Sequence, residues 1–448
     1  MLDGLKPYPE YKDSGCRWVG RVPAHWEVRR AKYFFREIDE RSTTGMEELL
    51  TVSHKTGVTP RTQKNVTMFM AESLIGYKLC APGDVAINTM WAWMAALGVV
   101  KQPGIVSPSY GVYRPHRTTH FEIRFLDELL RTPGYRAEYH IRSTGITSSR
   151  LRLYPESFLR IPLPCPPPQE QAAIVRFLDH ADRLIRRYIR AKQALVKVLE
   201  EHKQTIIHRA VTRGLDPNVR LKPSGVDWLG DVPEHWNISR IKFVARLKSG
   251  ESITAERIEE TGPFPVYGGN GLRGYTSAYT HEGEFVLVGR QGALCGNINY
   301  ASGRFWASEH AVVAYPLQDI AVQWFGELLR SMNLNQYSIA AAQPGLAVER
   351  IQNLRIPFPA LSEQCAIAEY LKQQTNAIQT AIGATRRTID LLHEFRTRLV
   401  ADVVTGKLDV RAAAAALPPA PDDEAEDIDD ADLDDEVGFE EAMEVAEL

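Results

Sequence analysis

No stretch of the 448 residues reaches the run of about 18 apolar side chains that a membrane-crossing helix needs, and no secretory leader is visible. Cysteine is scarce: Cys16, Cys80, Cys165, Cys295 and Cys365 are odd in number, scattered, and form no CxxC pair. That pattern argues against a disulfide framework or a zinc knuckle and makes a reduced cytoplasmic setting the expectation. No GxxxxGK[ST] loop is present, which excludes an ATPase of that kind. Neither Asn-Pro-Pro-Tyr nor Asp-Pro-Pro-Tyr occurs, so the chain lacks the motif of an adenine amino-methyltransferase. Asp and Glu pairs are abundant on two long helix-like stretches, where they read as helix-surface charge. Catalysis is not expected here, and no metal site is indicated.

Basic residues are missing from the end of the chain. From Arg411 the sequence runs RAAAAALPPAP and then into a tail with 15 Asp and Glu and no Lys or Arg. The net charge of −3 therefore conceals a body that carries 52 basic and 41 acidic residues up to position 410. A basic body with an acidic tail suits a binder of polyanions, although such a tail also serves simply to keep a protein soluble. An opposite-charge tail would compete with nucleic acid for the basic face, and truncation at Arg411 would test that.

Glycine and proline are absent from Gln169 to Thr212, bounded by Pro166-Pro167-Pro168 before and Gly214 and Pro217 after. Apolar residues recur at Ile174, Leu178, Ala181, Ile185, Tyr188, Leu195, Leu199 and Ile206, in steps of three and four broken at Lys192 and His202. The spacing predicts one rod-like helix of about 66 Å. Five of these eight positions return 193 residues later, in Ser362 to Thr405, as Ile367, Leu371, Ile378, Leu392 and Leu399. The lead-ins LRIPLP (Leu159–Pro164) and LRIPFP (Leu354–Pro359), the dipeptides Glu170-Gln171 and Glu363-Gln364, and the exits VTRGLD and VTGKLD repeat as well.

A second repeat precedes each rod. Ser14 to Phe34 returns at Ser224 to Val244, with Trp18/Trp228, Gly20/Gly230, Pro23/Pro233, His25-Trp26/His235-Trp236 and Lys32/Lys242 coinciding. His25 and His235 have no neighbouring ligand at metal spacing, so this motif reads as a packing clasp. Between clasp and rod lie two globular regions, about residues 30–160 and 240–355, of short strands joined by Gly-rich turns. Each carries one short helix, at Phe121–Leu130 and Ile320–Met332. The globules share little identity: scaffold is repeated while payload differs. The first globule feeds the start of rod one and the second feeds rod two, so the rods are expected to pack antiparallel with a near-twofold relation. The segment around Tyr11–Trp18 is then expected beside the end of rod two near Asp409.

These doubled motifs, WxGxVPxHW, IPLP…EQ and VYGGNG…VGRQG…GN…FWAS, resemble the specificity subunits of type I restriction–modification systems over about residues 10–410. The first globule adds GYKLCAPGDVAINTMWAWMAALGVV and GIVSPSYGVYRP to the likeness. The acidic tail lies outside that pattern. The resemblance implies an α+β fold with two globular α/β target-recognition domains separated by two long antiparallel coiled-coil helices in a pseudo-twofold repeat. The segments would be 1–160, first recognition domain with clasp; 161–215, first spacer helix; 216–355, second recognition domain; 356–410, second spacer; 411–448, acidic tail. It implies a phage-defence protein in which each domain reads half of a bipartite site in double-stranded DNA. The helices would set the gap and dock two modification (methyltransferase) subunits, with restriction (translocase and nuclease) subunits joining that core. S-adenosylmethionine, ATP and magnesium would then belong to partner subunits, leaving this chain without a cofactor.

Candidate DNA-contacting residues lie on turns, where Arg, Gln and Asn can pair with base edges and Gly admits the backbone to phosphate. In the second globule they are Tyr267, Gly269, Asn270, Arg273, Tyr275, Arg290, Gln291, Asn297, Trp306, Ser308 and His310; core or turn roles account equally well for Tyr267, Gly269 and Trp306. In the first they are Lys64, Lys78, Asn88, Trp91, Trp93, Ser107, Ser109, Tyr110, Ser148, Ser149 and Arg150. Of these, Lys64, Lys78 and Arg150 suit phosphate, and the Trp pair reads as a stacking wedge or as buried aromatics. Two competing readings are a stand-alone modification or restriction enzyme with an unrecognised site, and a purely structural coiled-coil connector.

Overall fold

The computed structural model describes residues 5–63, 73–117, 120–145, 151–291, 295–338 and 345–419. The chain divides into two compact units, Met1–Arg190 with Asp390–Leu448, and Ala191–Ile389. Both long helices form as expected, at Pro168–Arg213 and Leu361–Val404. Each begins in one unit and ends in the other.

In the first unit, short apolar segments flanked by turn residues make an antiparallel sheet of β1 (Phe35–Ile38), β2 (Val85–Ile87), β3 (Leu97–Val99) and β4 (Gly111–Pro115). Its order is β1-β4-β2-β3, with Val112 opposite both Ile38 and Ala86. Helix α1 (Ile123–Leu130) lays Phe125, Leu126, Leu129 and Leu130 against it, all fully buried. The Asp127 carboxylate of α1 accepts from the Val99 N–H over 2.8 Å, which ties the helix to strand β3. A second helix, α2 (Pro133–Arg142), follows where a stop was expected. Pro133 occupies its first turn, a position in which the missing N–H costs nothing.

The second unit repeats that plan with different residues. Strands β5 (Ala245–Ser249), β6 (Phe285–Gly289), β7 (Ile298–Ala301) and β8 (Ala311–Pro316) are ordered β5-β8-β6-β7, and helix α3 (Val322–Ser331) corresponds to α1. The heads diverge beside this shared sheet. The first has two separate ribbons, Leu50–Ser53 with Gly57–Pro60 and Lys78–Cys80 with Gly104–Val106. The second has a four-stranded sheet in which Phe264–Gly268 runs antiparallel to Gly271–Thr276 and parallel to Arg304–Ala307.

Within each unit the start of one long helix packs on the end of the other. In the first, Ile174, Phe177, Leu178 and Ala181 share a core with Leu399, Val400, Val403 and Val404. In the second, Ile207, Ala210 and Val211 share one with Ile367 and Leu371. The helix segments are therefore antiparallel in both. The expected seam needs one correction. Tyr188 and Leu195 are 62% and 41% exposed, and the covered line runs instead through Ile189, Val196, Leu199, Lys203 and Ile207. From Ile174 to Ala210 the covered positions recur about every 3.6 residues, the period of a straight helix, and drift off a 3.5-residue heptad. The N-terminal segment lies where it was expected: Lys6 pairs with Asp409, and the Tyr11 hydroxyl donates to the Lys407 carbonyl over 3.1 Å.

Candidate nucleic-acid interface

The Glu-Gln dipeptide at the start of each long helix joins head to helix, and does so twice. Glu170 accepts from the Trp26 indole at 2.8 Å and the Tyr8 hydroxyl at 2.5 Å, and its other oxygen lies 2.8 Å from His25 Nε2. Glu363 likewise accepts from the Trp236 indole at 2.9 Å and meets His235 Nε2 at 3.1 Å. The neighbouring glutamines face the heads. Gln171 Oε1 accepts from the Glu122 N–H at the start of α1, and Gln364 Oε1 from the Ala321 N–H at the start of α3. Both histidine–tryptophan pairs are thus clasp residues. The Glu-Gln recurrence was the signal for these contacts, since a buried indole N–H needs an acceptor.

Held in this way, each head presents turns from its sheet. In the second unit the Gly269-Asn270 turn, the Arg290-Gln291 segment, Asn297 and His310 converge. The Arg290 N–H donates to the His310 carbonyl, Asn297 Nδ2 to Asn270 Oδ1 at 3.3 Å, and the Arg290 guanidinium to the Ser249 hydroxyl at 3.1 Å. A Cβ on Gly269 would stand 3.1 Å from the His310 carbonyl, so glycine permits this approach. Gln291, Asn270 and Arg273 are exposed, while Arg290, Asn297 and His310 are half-buried.

Three other candidates, Trp306, Ser308 and Tyr267, are engaged by contacts inside this head. Trp306 is buried and donates its indole N–H to the Glu251 carbonyl, with Arg257 stacked over its ring. Ser308 is fully buried, its N–H on the Tyr267 carbonyl, and Tyr267 packs edge-on against Phe305. Tyr275 is paired through its backbone with Glu259. Ser249, which steadies Arg290, was not singled out from the sequence; a serine at a strand end carries no signal of that role.

In the first unit, the turn after β2 and the turn before β4 meet. Asn88 is buried and donates to the Tyr110 hydroxyl at 3.1 Å, the Thr89 hydroxyl donates to the Ser109 carbonyl, and the Ser107 and Ser109 hydroxyls are 2.9 Å apart. Trp91 and Trp93 stack on each other with centroids 6.0 Å apart, half-buried, Trp93 also leaning on His140. Lys78 is buried and its ammonium lies 3.6 Å from Asp39, so its charge is already partnered. Lys64, Ser148, Ser149 and Arg150 lie outside the described residues. Among the described residues, no helix is long and apolar enough to cross a membrane. No group of three or more His, Cys, Asp or Glu among them is placed to hold a metal ion.

Comparison with known proteins gives one consistent family. The family described as "Type I restriction modification DNA specificity domain" matches residues 233–385. The chain is similar to the type I restriction enzyme EcoprrI specificity subunit of Escherichia coli, at 45% identity over 29% of this chain and 33% of that one. It also resembles the MjaVIII specificity subunit of Methanocaldococcus jannaschii, at 24% identity over 57% of this chain and 64% of that one. The aligned stretches thus span about a third of the length of the Escherichia coli relative and of one from Haemophilus influenzae. A solved chain from a study of assembly and conformational transition of "the type I R-M system" shares the fold. Its TM-score is 0.64 at 19% identity, covering 86% of this chain and 99% of that one.

Proposed function

We propose that the chain, matched over residues 233–385 by the family described as "Type I restriction modification DNA specificity domain", is a specificity subunit reading a bipartite DNA target. Each head reads one half-site, and the long helices set the gap between half-sites. The observation that carries this reading is the convergence of Asn270, Arg290, Gln291, Asn297 and His310 at one end of a head whose architecture occurs twice. Arg and Gln or Asn make paired hydrogen bonds to guanine and adenine edges, and two such surfaces on one chain match a split site.

Methyl transfer, ATP hydrolysis and cleavage fall to partner subunits, which bring S-adenosylmethionine, ATP and magnesium; this chain binds none of them. Two modification subunits dock on the long helices, and restriction subunits join that core in the cytoplasm. The exposed apolar side chains Tyr188, Leu195, Val198, Tyr370, Leu391 and Phe395 support helical docking, because they offer apolar surface along the long helices for a partner to cover. Methylome sequencing of cells with and without the chain tests the proposal: a split adenine-methylated motif is expected to vanish with it. An unchanged methylome overturns the reading, and methyl transfer by the purified chain alone overturns its non-catalytic part.

A further inference from the structure

One face of the first long helix carries Arg176, His180, Arg183, Arg187 and Arg190. Steps of four and three place all five on the side turned away from Ile174, Leu178, Ala181 and Ile185, and the four arginines are exposed. The fold does not require this stripe. At the same positions of the duplicated helix, 193 residues on, stand Glu369, Gln373, Asn376, Thr380 and Gly383, although Ile174, Leu178 and Ile185 return there as Ile367, Leu371 and Ile378. Whatever the stripe does belongs to the first helix alone.

The chain's own end is delivered to that stripe. After the second long helix, Val410 and Ala414 are buried against the first unit, and the short helix Arg411–Ala415 leads to Pro418. Arg176 donates to the carbonyls of Leu417 at 2.6 Å and Pro418 at 3.3 Å. From this point a cleft of 290 Å³ runs along the helix, lined by Leu417, Pro418, Ala172, Val175, Arg176, His180 and Arg183. Its two carboxylates are already engaged: Glu122 caps the N–H of Phe125, and Asp179 pairs with Arg124.

We propose that this arginine stripe is the seat of the acidic tail, with residues 422–430 lying along it. That segment, DDEAEDIDD, places seven carboxylates in nine residues. The stripe from Arg176 to Arg190 is about 21 Å long. Nine residues extended at roughly 3.3 Å each span it, and the segment begins three residues after the last one described. A tail seated here is an internal competitor for any phosphate backbone that approaches the stripe, and it loosens as salt rises.

Two measurements on the full chain decide the matter. Carbodiimide treatment of the Arg187→Lys variant is expected to join the new amine to a carboxylate within 422–430. Absence of that cross-link, while other lysines react, overturns the proposal. This readout needs no DNA, so it stands apart from the reading of the chain as a DNA-specificity subunit. In the second, removal of residues 420–448 is expected to raise non-specific duplex affinity about tenfold at low salt. In a chain carrying Arg183→Gln, Arg187→Gln and Arg190→Gln, the same removal is expected to change nothing. An equal rise in both backgrounds places the tail elsewhere and overturns the assignment, as does no rise in either.

Discussion

The Trp236 indole N–H donates to the Glu363 carboxylate over 2.9 Å, and the Trp26–Glu170 pair repeats this contact at 2.8 Å in surroundings that exclude water. The two junctions share a design but differ in depth. Glu170 is 5% exposed and receives Tyr8 as a third partner, whereas Glu363 is 28% exposed and has no such third partner among the described residues.

Unequal depth predicts unequal cost. Glu170→Ala leaves buried donors unpaired and is expected to destabilise the first unit by about 3 kcal/mol, against about 1 kcal/mol for Glu363→Ala in the second. Urea melts of the two variants measure the difference. Equal losses would mean that the third donor and the deeper burial add nothing.

Glu128 predicts a pH dependence. Burial raises its carboxyl above the ordinary 4.5, opposed by the Arg396 guanidinium 3.8 Å away. A raised carboxyl pKa contributes stability below the unfolded value, and that contribution is lost as pH rises through the folded value. Arg396→Ala removes the counter-charge and lifts the folded value further. The variant's deficit relative to the parent is therefore expected to grow between pH 4.5 and pH 7, as read by urea melts at both; a deficit that shrinks with pH would contradict it.

Thiol chemistry offers a third check. Burial pushes Cys80 and Cys165 up to about 12 and also raises Cys16 and Cys295, while Cys365 alone of the five is exposed. Iodoacetamide at pH 8 is expected to alkylate Cys365 and spare the other four until denaturant is added. Peptide mass spectrometry reads the pattern directly.

Sequence readout predicts a split between two neighbours in the second head. Gln291→Ala is expected to cost about 1–3 kcal/mol on the cognate site and to relax preference at one base position. Arg273→Ala is expected to weaken all duplexes alike and reduce the salt slope by about one. Binding to a panel of duplexes across a salt series separates the two effects.

The rods were legible because local rules suffice: proline bounds, a long helical period and an internal copy all pointed to the same residues. Their contact line was not. A period of 3.5 and one of 3.6 agree through Ile185 and then part by one residue, which exchanges Tyr188 for Ile189 and Leu195 for Val196. Helix α2 was hidden because Pro133-Gly134 reads as a stop, although proline is equally at home in a first turn.

The heads were harder still. Their common strand order rests on few shared residues, because a buried strand asks only for apolar side chains of suitable size. Among the candidate contact residues, Arg290, Gln291, Asn270 and Asn297 do come together. Trp306, Ser308 and Lys78 look alike in sequence but are consumed by packing or pairing inside the head. Burial is a property of the whole fold, and single-residue chemistry does not announce it.

Gly406, just past the end of the second long helix, has a positive φ of 76°, and a Cβ there would stand 2.3 Å from the Pro23 ring. Gly214, past the end of the first, also has a positive φ, of 75°, and a Cβ there would stand 3.2 Å from Trp236 and Glu363, a tight contact without overlap. These glycines let each helix end close against the clasp of its own unit, where a side chain would push the two apart. Residues added or removed in mid-helix, at about 1.5 Å of length each, are therefore expected to disturb the protein less than the same change beside Gly214 or Gly406.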